Sequence, residues 1–444
     1  MKLEDHPTVR KLIDRPRLVS PPPAPLDAEW LKALARECGA DDVGLVELER
    51  PALADQREEI QALLPGARTI LSLVLRMNRE PIRTPARSLS NLEFHHVGDE
   101  TNEAARRIVE ALEERGIRAL NPAMGFPMEM DRFPGKIWTV SHKPVAVAAG
   151  LGMMGIHRNV IHPRFGNFIL LATVVIAAEA TAYDQPIDYN PCLECKLCVA
   201  ACPVGAIAPD GHFDFSACYT HNYREFMGGF NDWVETVADS RNGLDYRHRV
   251  GNAESASMWQ SLSFGPNYKA AYCLSVCPAG EDVIAPYLEN RREHLETVVR
   301  PLQQKVESIY VVPGSDAEDH VRKRFPHKTV RNVRGSLRPR SIESLLSAMP
   351  HAFQREKAAG FRAVYHFRFT GEEPREVTIR IADRTLAIEP GLVGRCDVRV
   401  TVDSRTWLRF IAKEISLFRA LITFRLRIRG NPLLLARFGR CFPS

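Results

Sequence analysis

Seven of the ten cysteines fall in one 86-residue window, from Cys192 to Cys277. Cys192, Cys195, Cys198 and Cys202 stand at C-x2-C-x2-C-x3-C and are followed by Pro203. A second set, Cys273-x3-Cys277-Pro278, repeats the Cys-Pro ending, and Cys218 lies between the two. Two-residue gaps let three thiolates curl around one Fe4S4 cube, while the fourth, a helical turn further on, points toward a second cube. A structural zinc site closes with four ligands in paired C-x2-C knuckles, so a run of three equally spaced thiolates fits it poorly. The start, Met1-Lys2-Leu3-Glu4-Asp5-His6-Pro7, lacks the apolar core and small-residue cleavage site of a secretory signal. The reading is therefore a cytoplasmic chain whose clustered cysteines bind metal rather than form disulfides.

The first run is the one bacterial ferredoxins use, where the cysteine before each proline serves the cube nucleated by the other motif. On that geometry Cys192, Cys195, Cys198 and Cys277 hold one 4Fe-4S cluster. Cys202, Cys218 and Cys273 hold another, which is one cysteine short. Ala270 stands where a further C-x2-C partner of Cys273 is expected. The second cluster then takes a His, Asp or water ligand, with His221 and His248 as the substitutes, or is a 3Fe-4S cluster. Cys38, Cys396 and Cys441 are isolated and read as buried free thiols.

The elements that must position these thiolates can be traced along the chain. With 444 residues, 45% hydrophobic and 25% charged, the composition is that of a globular protein of roughly three domains, and the net charge of +5 is mild. The longest apolar run, Phe168 to Ala178, is 11 residues, short of a membrane span, and reads as a buried strand with its flank. Residues 1–26 form an N-terminal arm ending in Ser20-Pro21-Pro22-Pro23-Ala24-Pro25. Residues 27–185 form an α/β domain: a helix capped by Asp27 with Leu31, Leu34 and Ala35 on one face, strands at Val43–Val46 and Thr69–Leu75, a helix from Asp99 to Arg115, and a strand at Ile117–Leu120. Residues 186–290 form the cluster module. A helix near Ala285 to Gln304 leaves that module, and residues 291–340 form a basic linker in which the stretch Arg322 to Arg340 has eight Lys or Arg and no Asp or Glu. Residues 341–444 form an α+β domain with strands at Val364–Phe369, Val377–Ile381, Thr385–Ile388 and Val398–Val402. Helices around Ser404–Glu414 and Ser416–Leu421 follow, then a strand through Phe424, Leu426 and Ile428, and a last helix from Pro432.

Upstream of the cysteines runs Lys143-Pro144-Val145-Ala146-Val147-Ala148-Ala149-Gly150-Leu151-Gly152-Met153-Met154-Gly155-Ile156-His157, then Pro163-Arg164-Phe165-Gly166. Followed by a strand and the cysteine run, this segment resembles the epoxyqueuosine reductase family and its relatives, the cobalamin-dependent reductive dehalogenases. The resemblance implies a nitroreductase-like α/β domain carrying an inserted two-cluster ferredoxin-like module. It also implies cobalamin bordered by Gly150, Leu151, Gly152, Gly155, His157, Pro163 and Gly166. The chain departs from the family at Ile156, where a Lys is usual, at Ala270, and near Lys136, where no carboxylate stands for the expected proton donor. Lys136, His142 and His157 are the replacement proton donors considered, since a Lys or His of lowered pKa can act as an acid.

Leu345-Leu346-Ser347-Ala348-Met349-Pro350-His351-Ala352-Phe353, Phe367-Arg368-Phe369-Thr370-Gly371, Asp397-Val398-Arg399-Val400-Thr401-Val402 and Gly430-Asn431-Pro432 resemble the sterol carrier protein-2 family. That resemblance implies helices on a five-stranded sheet around an apolar tunnel, and so a lipid or apolar small molecule as ligand. A dimerisation or capping module is the competing reading. The whole is expected to be an iron-sulfur oxidoreductase, a cobalamin-dependent reductase acting on an apolar substrate. Its electrons would come from a flavodoxin or ferredoxin donor. The alternative is a non-enzymatic electron-transfer protein with a lipid-binding or oligomerisation tail. Without exposed aromatics among the basic residues, nucleic acid has no place as a partner.

Overall fold

The computed structural model describes residues 2–13, 25–133, 135–335, 339–416 and 425–443. Most of the proline arm, the helix expected at Ser416–Leu421 and Phe424 lie outside these residues.

Asp27 caps the helix Ala28–Glu37 by accepting the Trp30 amide at 2.9 Å, and Leu31, Leu34 and Ala35 are buried as their spacing predicts. They pack on a four-stranded sheet in the order Asp42–Glu47, Thr69–Arg76, Ile169–Ile176, Ala119–Leu120, with every pairing antiparallel. The apolar run supplies the third of these strands. Both faces of the sheet are covered. Leu71, Leu73 and Leu75 meet Leu31, Ile108 and Leu112 on one side, and Val46, Ile70 and Val175 meet Val145 and Ala148 on the other.

The helix expected from Asp99 begins twelve residues earlier and runs Arg87–Glu113. Its first turns bury Ser90 and Asn91, and Asn91 is held there by hydrogen bonds to the Tyr268 backbone. Apolar periodicity therefore does not mark them.

The stretch expected to be a basic linker is also folded. Ser308–Val311 and Thr329–Asn332 pair in parallel across the helix Asp316–Arg324, a βαβ unit whose helix carries charge on most positions. Between the alternating cysteines three further helices, Met227–Ala238, Gly243–Arg249 and Asn252–Phe264, form an insertion.

The C-terminal domain is a five-stranded sheet in the order Thr385–Pro390, Arg375–Ala382, Arg362–Thr370, Val398–Asp403, Leu426–Gly430. Arg362–Thr370 and Val398–Asp403 run parallel, and the other pairs are antiparallel. Alternation puts Tyr365, Phe367 and Phe369 on the inner face, where Trp407 and Phe438 meet them. The helix Ile342–Ala352, capped reciprocally by Ser341 and Ser344, starts the domain. The domain docks on the cysteine module through Arg355 to Asp210 at 3.0 Å and His351 edge-on to Phe215, and on the βαβ unit through Lys357 to Asp319 at 2.5 Å.

Candidate iron-sulfur centre

The two Cys-Pro arms fold alike. In the first, Lys196 takes a left-handed conformation at φ 62°, and the short helix Leu197–Ala201 follows, ending at Cys202. In the second, Ala271 is left-handed at φ 52°, and the short helix Tyr272–Ser275 leads to Cys277. Glu194, on the other side of Cys195, is left-handed as well. A non-glycine residue in this region costs energy, and such residues gather where backbone N–H groups must converge on one point. Nothing in the sequence marked these three, since none is Gly or Asn.

Cys192, Cys195, Cys198 and Cys277 line a single cavity, together with Ile156, His157 and Pro278. The last thiol arrives from a stretch of chain 79 residues beyond Cys198. It is placed by a close backbone fit. Gly166, at φ +65°, lies so near Ala279 that a Cβ would sit 1.9 Å from the Ala279 carbonyl, and a Cβ on Gly280 would sit 2.4 Å from the Gly166 amide nitrogen. The Glu281 and Asp282 amides donate to the Pro163 and Arg164 carbonyls at 2.9 and 3.0 Å. The turn Pro163–Gly166 therefore seats the second arm.

Cys202, Cys218 and Cys273 form the second group, each within range of another's charge. Cys198 and Cys273 are also near enough to feel each other, so the two groups adjoin. Desolvation raises Cys195, Cys198 and Cys202, pushes Cys273 and Cys277 up to about 12 and puts Cys218 well above its usual range. A cationic centre bound among them would favour the thiolate forms instead. Amides are already turned toward the sulfur atoms, the Ala206 N–H lying 3.3 Å from Cys202 Sγ. Among the described residues no group of three His, Cys, Asp or Glu is drawn in tightly enough for a single metal ion.

The helix that carries Cys218, Phe215–Asn222, is capped by Asp214, and its last residue reaches the second arm. Asn222 Oδ1 accepts the Ala270 amide at 3.0 Å and the Ala271 amide at 2.8 Å. Arg87 donates to the Ala270 carbonyl at 2.8 Å and lies over the Tyr272 ring. Asn91 exchanges hydrogen bonds with the Tyr268 backbone at 2.8 and 3.1 Å.

Of the proposed proton donors, Lys136 is ion-paired with Glu59, which Arg132 also meets. His142 is held at both nitrogens, Nδ1 at 2.8 Å from the Thr173 hydroxyl and Nε2 at 3.0 Å from the Ala123 carbonyl, and burial lowers its pKa. His157 borders the first cavity. Burial and then the Lys143 charge bring it down to about 4. Its Nδ1 accepts the Asn159 amide, so the neutral ring carries its proton on Nε2, and the Asn167 side-chain amide 3.2 Å away must turn its oxygen to accept it.

Gly150, Gly152 and Gly166 each approach backbone of the chain itself, at Gln185, Ile161 and Ala279. Pro163 belongs to the turn described above, and Leu151 is buried in an apolar cluster with Val74 and Phe165. Gly155 lies against His157 and Ile161.

Of the two histidines considered for the second group, His248 is exposed near the end of Gly243–Arg249. His221 is buried, and its Nδ1 accepts the Tyr310 amide at 3.3 Å.

Residues 342–443 match the SCP-2 sterol transfer family, and residues 186–208 match the 4Fe-4S binding domain. An epoxyqueuosine reductase from Cellulophaga algicola is 25% identical over 235 residues, covering 47% of this chain and 74% of that protein. One from a Synechococcus species is 30% identical over 168 residues, covering 37% of this chain and 48% of that protein. Several other curated relatives are likewise matched over little more than half their length. Among solved structures, a catabolic reductive dehalogenase aligns with a TM-score of 0.38 at 18% identity, covering 62% of this chain and 34% of that one. No helix among the described residues is long and apolar enough to cross a membrane. The chain is thus similar to the epoxyqueuosine reductases, with a 4Fe-4S binding segment at its centre and a C-terminal domain matching the SCP-2 sterol transfer family.

Proposed function

We propose that the protein is an iron-sulfur oxidoreductase with two clusters, held crosswise by its two Cys-Pro arms. The observation that carries this reading is the single cavity bounded by Cys192, Cys195, Cys198 and Cys277. Thiols from two distant stretches converge there, which the ferredoxin spacing requires and an isolated four-cysteine knuckle does not. Cys202, Cys218 and Cys273 would hold the second cluster. When bound, such clusters supply one-electron redox chemistry at potentials set by charge, hydrogen bonds and solvent access. The chain's own part is to gather the thiolates, direct the amide at Ala206 toward Cys202, and set the Lys143 ammonium near Cys218 and Cys273. Lys143 is itself fixed by hydrogen bonds to the Arg158 carbonyl and Asn159 Oδ1 at 2.8 and 3.0 Å.

A reductase dependent on cobalamin, fed by a flavodoxin or ferredoxin, is the fuller form of this reading and rests on similarity to the epoxyqueuosine reductases. The glycines expected to border the corrinoid mostly pack against the protein's own backbone and do not form a cradle for it. No step is therefore assigned to a corrinoid. The relatives' names carry no apolar substrate, and that expectation is dropped. For the C-terminal domain the proposed ligand remains a lipid or other apolar small molecule, supported by the family match.

The electron-transfer reading without substrate chemistry is favoured by two observations: His142 is held at both nitrogens, and Lys136 is ion-paired with Glu59. Iron and acid-labile sulfide analysis of anaerobically prepared protein, with redox-titrated EPR, tests the shared claim. Two interacting clusters per chain support it, and a protein with no cluster, or with a single one, overturns it. Titration of the reduced protein with cobalamin, read by absorbance, then separates the two forms: stoichiometric binding supports the reductase and its absence the electron carrier.

A further inference from the structure

The two arms superimpose in sequence with a constant offset of 75: Cys195 on Ala270, Lys196 on Ala271, Cys198 on Cys273, Cys202 on Cys277 and Pro203 on Pro278. They superimpose in conformation too, because Lys196 and Ala271 are both left-handed and both precede a short helix. Ala270 therefore occupies a ligand position without a ligand. Its buried methyl group offers nothing to iron.

The neighbours do not make up the deficit. Asn222 Oδ1 is engaged by the Ala270 and Ala271 amides, and the Arg87 guanidinium is turned to the Ala270 carbonyl. Because His221 Nδ1 accepts the Tyr310 amide, its neutral ring keeps a proton on Nε2 and has no lone pair there for a metal. The charges acting on the buried His221 ring come from Glu307, Lys269, Lys328 and Lys305, and its Nε2–H has no hydrogen-bond partner among the described residues. His248 is exposed on the insertion. Lys143, close to Cys218 and Cys273, is a cation already bound to two oxygens.

We infer that the cluster at Cys202, Cys218 and Cys273 is a three-thiolate, three-iron cluster, lacking the iron that a cysteine at position 270 would hold. The inference rests on the two-cluster reading above and specifies its second half. Three thiolates satisfy the three irons of a 3Fe-4S core, whereas a four-iron core would carry one corner with no protein ligand.

The test compares the full-length wild type with Ala270→Cys, both reconstituted anaerobically, by iron content and EPR of the oxidised protein. A three-iron cluster is paramagnetic when oxidised, and ferredoxin-type four-iron clusters are not. The expected wild type holds about seven irons and gives the oxidised-state signal, and Ala270→Cys holds about eight and loses it. If that variant fails to fold, Cys273→Ser serves instead. It is expected to remove the oxidised-state signal while leaving the reduced-state signal of the other cluster. About eight irons in the wild type, with no oxidised-state signal, would overturn the inference and leave the two-cluster reading standing. About four irons would overturn both.

Discussion

The two Cys-Pro arms share a backbone and differ in chemistry. The first presents sulfur at each ligand position, while the second keeps the left-handed residue, the short helix and the terminal Cys-Pro but replaces one sulfur with a methyl group. What holds the second arm in shape is therefore not its full set of ligands. Asn222 from the Cys218 helix, Arg87 from the α/β domain and the Gly166–Gly280 contact hold it from outside. An arm supported in this way carries Ala270 at one cysteine position and still brings Cys277 to the cavity lined by Cys192, Cys195 and Cys198.

The largest effect that could break this comparison comes from Cys277→Ser. Although it lies in the second arm, it is expected to destroy the cluster of the first, removing about four irons and the reduced-state signal of a four-iron cluster. Loss of the three-iron signal alone would show that the arms do not cross. Next is Gly166→Ala, which forces a Cβ into the Ala279 carbonyl at a positive φ. We expect a destabilisation of about 3 kcal/mol in thermal unfolding, with lower occupancy of the cluster that uses Cys277.

Asn222→Ala removes the acceptor of two amides and is expected to cost about 1–2 kcal/mol, with loss of the three-iron signal preceding loss of the four-iron one on mild oxidation. An equal loss from both clusters would show that Asn222 does not serve the second arm in particular. The smallest effect concerns Asp214, at the start of the Cys218 helix. Burial, together with the nearby Asp316 carboxylate, raises it to about 6. A carboxyl group whose pKa is higher folded than unfolded takes up a proton on folding, so its contribution to stability falls as pH climbs from 3.8 to about 6. Asp214→Asn, which keeps the cap, should flatten the stability profile across that window by on the order of 2 kcal/mol relative to wild type.

The convergence of Cys192, Cys195, Cys198 and Cys277 on one cavity was legible because thiol spacing and the Cys-Pro ending are covalent properties of the chain. The C-terminal strands were legible for a different reason: Tyr365, Phe367 and Phe369 alternate with residues facing outward. What escaped was held by contacts that leave no periodic trace. The first turns of Arg87–Glu113 bury Ser90 and Asn91, Asn91 through the Tyr268 backbone. The βαβ unit at 308–332 has four-residue strands and a helix made mostly of charged residues, so charge pattern pointed to a linker. The left-handed residues Glu194, Lys196 and Ala271 look like ordinary helix formers in sequence. The glycines at 150, 152 and 166 were visible, but backbone proximity alone does not say whether the neighbour is a ligand or the protein itself.

The most direct measurement is an anomalous-difference map at the iron absorption edge from crystals of the anaerobic holoprotein. The account predicts two adjacent iron centres, one bounded by the sulfurs of Cys192, Cys195, Cys198 and Cys277, the other by those of Cys202, Cys218 and Cys273 with the Ala270 methyl at its open side. A Cys277 sulfur outside the first centre, or a single iron centre, would contradict it.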